Sequence, residues 1–206
     1  MTKFLKECLR AQVSMKTLVL ATGIWLVLQG TAIAATTLCS GQIPHNFPTP
    51  PVTQPNPADR QAIEDLVSRY NSALENKDGT TLSDILDQNV TFEVCKAGGN
   101  IQDFLATSRD PVLAYYTDLW PALSNQGLTT QHITSSLILN KTGPNTVEGK
   151  FTQVVFLQTS FGGPQADYTG RVRATFVKQT GVWRFQSFLL ISVIPNLGGG
   201  IGTRAR

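Results

Sequence analysis

The sequence predicts an α+β fold: a curved antiparallel sheet forming a cone, with helices packed on its concave face. Three observations lead there. Helical periodicity is confined to the first part of the chain after its leader, four long alternating segments fill the remainder, and glycine-containing turns join those four by short connections. Short connections make antiparallel neighbours, because a parallel pair needs a crossover of about a dozen residues or more. Helices grouped ahead of a meander cover one face of the sheet.

"NPADRQAIEDLVSRYNSALENKDG" opens the domain as a well-signalled helix. Asn56 can cap it, Pro57 suits the first helical position and Asp59 complements the helix dipole. Ile63, Leu66, Val67, Tyr70 and Leu74 form one apolar stripe, and Asp78-Gly79 stops the helix. "TTLSDILDQ" reads as a short second helix with Leu82, Ile85 and Leu86 facing inward. "NVTFEVCK" alternates Val90, Phe92 and Val94 against Thr91, Glu93 and Cys95, as a strand does. After a glycine break, "DPVLAYYTDLW" restarts a helix with Asp110 as its cap, and Pro121 is expected to kink or end it.

Strands are then expected from about Thr129 to Leu139, Val147 to Gln158, Asp167 to Lys178 and Val182 to Val193. Turn signals at Thr142–Asn145, Phe161–Pro164 and Thr180–Gly181 separate them. Alternation places Thr130, His132, Thr134 and Ser136 on one face of the first. Phe151, Gln153, Val155 and Leu157 share a face in the second, and Tyr168, Gly170, Val172, Ala174 and Phe176 in the third. In the last, Trp183, Phe185, Ser187, Leu189 and Ile191 should turn to the helices. Arg184, Gln186, Phe188 and Leu190 should turn away, the last pair toward a possible homodimer contact on the outer sheet face.

The ends carry an address. A basic start, an apolar run from Leu18 to Leu28 and then Ala32-Ile33-Ala34 make residues 1–34 a secretory signal, with Met15 as an alternative start. The run is shorter than the roughly 20 residues of a membrane span, so no stable insertion is expected after cleavage. Removing the signal takes Lys3, Lys6, Arg10 and Lys16 against Glu7 alone, which turns 17 basic and 14 acidic residues into 13 of each. A neutral mature chain has no electrostatic case for binding nucleic acid. Residues 35–57 hold six prolines and His45 in an extended leader, and residues 196–206 form a glycine-rich flexible tail. Cys39 and Cys95 remain. In an oxidising compartment they can close a disulfide worth about 4 kcal/mol. Leu38, where lipoproteins carry a small residue, argues against a lipid on Cys39.

From Ala58 to about residue 195 the chain resembles the SnoaL-like group of the nuclear-transport-factor-2-like superfamily. The resemblance is carried by "AIEDLVSRYNSALENKDGTTLSDIL", "NVTFEV", "TTQHI" and "FVKQTGVWRFQSF". Within that group it is distantly similar to scytalone dehydratase. The resemblance implies that His132 matches the first active-site histidine and that Glu75 stands where the dehydratase has an aspartate. Leu74 replaces a tyrosine beside it, the second histidine falls at Phe151, an asparagine at Val172 and a second tyrosine at Val94.

These residues define the candidate site. His132 and Glu75 make an acid–base pair, lined by Tyr70, Tyr116, Trp120, Gln153 and Phe151. No cofactor is implied. The histidines and cysteines lack metal-ligand spacing, and no phosphate loop or nucleophile elbow occurs. Two expectations follow: an exported domain that binds a small hydrophobic molecule without catalysis, or a cofactor-independent lyase or isomerase using His132 and Glu75. Export is checked by N-terminal sequencing of the protein from its native source, which should read from Ala35; an intact Met1 or Met15 contradicts it.

Overall fold

The computed structural model describes residues 38–44, 52–96, 101–159 and 162–192, which belong to one compact unit. The expected signal sequence, His45 and the glycine-rich tail lie outside them. Helix α1 spans Pro57–Asn76, and the Asn56 side chain accepts from the Asp59 N–H at 2.8 Å, as its capping role requires. Lys77 closes the helix in the left-handed conformation, φ 58°. Asp78 caps α2, Gly79–Ile85, by accepting from the Thr81 N–H at 3.0 Å.

The chain then passes directly into β1, Leu86–Lys96, so the strand starts three residues before Asn89, the asparagine that opens "NVTFEVCK". A strand the sequence did not signal, β2 at Ile101–Ala106, pairs back on it. Helix α3, Arg109–Asn125, has Ser108 as its N-cap instead of Asp110, and Pro121 lies inside it. Thr117 and Pro121 are both exposed, so water can satisfy the carbonyl that the proline leaves without a donor. Strands β3, Leu128–Gly143, β4, Thr146–Thr159, β5, Gln165–Gln179, and β6, Val182–Ser192, complete the domain.

The sheet is open, with order β2-β1-β6-β5-β4-β3. Four of its pairings are antiparallel; β1 and β6, separated by most of the domain, pair in parallel. All three helices contribute to a single core on one face. Phe92 stacks on Phe188 with centroids 4.7 Å apart, and Tyr70 packs on Phe185 and Phe188 at 5.6 and 5.1 Å. Gly149 is required there: a Cβ would stand 2.6 Å from the Phe176 ring. At the far end, buried Asp59 accepts from Trp183 Nε1 at 3.0 Å and Lys178 Nζ at 2.8 Å, which joins α1 to the β5–β6 hairpin. Those two donors hold its carboxyl below the usual carboxylate range.

Alternation sets the faces as expected until a bulge intervenes. Trp183 and Phe185 are buried among the helices and Arg184 turns to the Asp84 carbonyl. Phe185 pairs with Phe176 and Ser187 with Thr175, which leaves Gln186 as an extra residue. Every side chain beyond it changes face. Phe188 and Leu190, expected outside, are in the main core, and they are unavailable for the homodimer contact suggested for them. On β3 the same happens at Ser136, whose φ is 58°: Ser135 pairs with Thr152 and Ile138 with Lys150. Ser136 is therefore exposed, and Leu139 takes the inner face.

The outer face near β1 is covered by the leader. Cys39 is disulfide-bonded to Cys95, Ile43 is buried with Leu189 and Ile191, and Ser40 donates to the buried Glu93 carboxylate through both N and Oγ. Part of the segment expected to have no core of its own is thus pinned to the sheet. Farther along, Thr53 hydrogen-bonds to the β3 edge at Lys141 and Asn140. Among the described residues no helix is long and apolar enough to cross a membrane.

Candidate functional site

Between α3 and the inner face of the sheet lies a cavity of about 230 Å³. Its walls are mostly apolar: Leu74 from α1, Leu119 and Leu123 from α3, Val155 and Leu157 from β4, and Leu190 from β6. Tyr115, Tyr116 and Trp120 from α3 and Tyr168 from β5 supply aromatic surface. The polar groups are few: Thr130 and His132 of β3, Ser192 of β6, and Lys96, Asp103 and Asp167.

Helical spacing brings Tyr116 and Trp120 to the wall, one turn apart and with ring centroids at 6.1 Å. Alternation brings Thr130 and His132 there from the edge strand. Of the seven residues the sequence nominates, His132, Tyr116 and Trp120 line the cavity. Tyr70 stands behind the wall, its hydroxyl 2.9 Å from that of Tyr116, and Phe151 is core filling beside Phe188. Gln153 is fully buried behind His132, with its Nε2 3.3 Å from His132 Nδ1 and 3.3 Å from Asn71 Oδ1. An amide nitrogen only donates, so Nδ1 accepts and the neutral ring carries its proton on Nε2.

Glu75 and His132 do meet, but through the main chain. Glu75 Oε1 accepts the His132 backbone N–H at 2.6 Å. That N–H belongs to an edge strand, and an unpaired donor there calls for a partner. The carboxylate is therefore spent on the backbone and not on the imidazole. Burial alone lowers the His132 pKa to about 4, so the ring is neutral near pH 7 and a weak base.

The sequence reading missed Lys96, Asp103, Asp167 and Tyr168 as site residues, and two bulges explain why the aspartates are there. Val94 pairs with Phe104 and Cys95 with Gln102, leaving Asp103 extra on β2. Val155 pairs with Tyr168 and Phe156 with Ala166, leaving Asp167 extra on β5. A bulge re-aims the side chain it frees, here toward one cavity from two strands. Burial raises the Asp167 carboxyl above its usual value, with Lys96 opposing. Burial likewise pushes the Tyr116 and Tyr168 phenols well above theirs, which keeps them neutral donors.

Residues 57–188 match the model of the SnoaL-like domain. The chain belongs to the SnoaL-like family. Solved structures agree on the fold. An NTF2-like protein with a cystatin-like fold from Novosphingobium aromaticivorans is 20% identical, over 68% of this chain and 85% of that one, with a TM-score of 0.55. A protein of unknown function from Mycobacterium tuberculosis is 23% identical over 66% and 76%, with a TM-score of 0.52. A Catenulispora acidiphila protein in complex with S-DNPA is 15% identical over 66% and 93%, with a TM-score of 0.53. A comparison with curated protein sequences found no match.

In this SnoaL-like domain His132 has a measurable pH signature. A histidine whose folded pKa lies below its unfolded one binds a proton more weakly when folded. Its neutral form thus supports the fold fully above about pH 6.5, and that support is lost as the pH falls toward 4. The full loss is about 3 kcal/mol. Urea unfolding at pH 7 and pH 4 is expected to show wild type losing more stability than His132→Asn by about that amount. Equal losses would contradict a desolvated, neutral His132.

Proposed function

We propose that this SnoaL-like domain binds a small, largely apolar molecule of one or two rings, without catalysis, and does so outside the cytoplasm. The observation that carries this is the cavity itself: apolar and aromatic walls with a few placed polar groups are what a ligand site needs. Its 230 Å³ compares with the roughly 150 Å³ that suffices for benzene in an engineered apolar cavity. The neutral His132 ring and the Thr130 hydroxyl serve as orienting hydrogen-bond groups. Binding is favoured over lyase or isomerase chemistry because the Glu75 carboxylate is on the His132 amide, and a base of pKa about 4 has little drive to take a proton from carbon. Export is supported by the apolar run ahead of Ala32-Ile33-Ala34 and by the Cys39–Cys95 pairing.

Isothermal titration with 2-naphthol tests the reading. A Kd on the order of 100 µM is expected from the size of the ligand, with a negative heat-capacity change. Leu157→Trp, which fills the cavity from β4, should abolish binding without unfolding the protein. Heat that is unchanged in that variant, or absent from wild type, would overturn it.

A further inference from the structure

The charges at the cavity do not balance. Lys96 Nζ is ion-paired with Asp103 Oδ1 at 2.7 Å, while Asp167, partly buried on the bulge of β5, makes no hydrogen bond or ion pair among the described residues and feels Lys96 only at longer range. His132 is neutral, so the lining carries one uncompensated negative charge. That charge lines the same cavity as Tyr115, Tyr116, Trp120 and Tyr168.

A ligand entering this cavity removes water from the Asp167 carboxylate, and a desolvated carboxylate is costly unless it gains a partner. A neutral ligand can at most donate a hydrogen bond and leaves the charge in place. A carboxylate ligand adds a second like charge, and the one cation that could receive it is already held by Asp103. A protonated nitrogen neutralises Asp167, and aromatic rings around it favour a cation further through their electron-rich faces. Resting on the binding reading above, we propose that the ligand class is a hydrophobic amine: a ring or chain of the cavity's size bearing an ammonium group, with Asp167 as its counter-ion. The two bulges then have a shared purpose. Asp103 occupies Lys96, and that leaves Asp167 for the ligand.

Paired probes of equal shape separate this proposal from the binding reading. Phenethylamine and 2-phenylethanol are titrated into the full mature chain at pH 7.5 and 150 mM salt, which screens distant charges. The amine should bind about tenfold more tightly than the alcohol, and the ratio should fall to near one in Asp167→Asn. Asp118→Asn, which removes an equal charge from an exposed position on α3, should keep the wild-type ratio. An alcohol that binds as well as the amine, or a preference that survives in Asp167→Asn, overturns the amine proposal and leaves the cavity reading standing. If neither probe binds, both fall.

Discussion

The hydrogen bond between the Tyr70 and Tyr116 hydroxyls, 2.9 Å long, divides the interior of this domain. On the Tyr70 side rings pack on one another: Tyr70 on Phe185 and Phe188, which in turn pack on Phe92, Phe151 and Phe176. On the Tyr116 side the cavity begins. Both residues are buried, so losing one hydroxyl would leave its partner short of a hydrogen bond at a cost of about 1–3 kcal/mol. The bond also sets the approach of α1 to α3. With α2 they cover the inner face of the sheet, and the cavity lies between α3 and the sheet.

That division accounts for the departures from scytalone dehydratase that the resemblance implies. The resemblance sets its second histidine and its asparagine against Phe151 and Val172, and these two pair directly across β4 and β5. Both are buried in the core cluster. At either position a lone histidine or asparagine would face an apolar neighbour without a partner. What remains open lies toward the other end, where the polar groups are His132, Thr130 and the charged trio of Lys96, Asp103 and Asp167. Membership of a family of shared fold and varied use says little about function; the site has to be read from these side chains.

Much of this was legible in the sequence. The cap at Asn56, the apolar stripe of α1 and the alternation of β4 and β5 are local signals, and the structure follows them. The burial of Trp183 and Phe185 followed from period two, as did the inward direction of His132. The failures share a cause. A bulge adds one residue to one strand, and only the pairing partner determines where, so Gln186, Ser136, Asp103 and Asp167 look like ordinary members of an alternating run. Each reverses the faces beyond it or re-aims its own side chain. Strand β2 was missed because "IQDFLA" is short, polar at its centre and interrupted by its own bulge. Glu75 was read as a partner for a ring because the sequence shows which residues are near and not which atoms meet.

The interior is packed around Tyr70 and holds a cavity beyond Tyr116. Intermolecular nuclear Overhauser effects between benzene and methyl-labelled leucine and valine side chains locate the open part directly. Contacts are expected to the methyls of Leu123, Val155 and Leu157, which line the cavity, and none to Leu82, Leu86 or Val172 in the packed core. Contacts to Leu82, Leu86 or Val172, or none to the cavity leucines at saturating benzene, would contradict it.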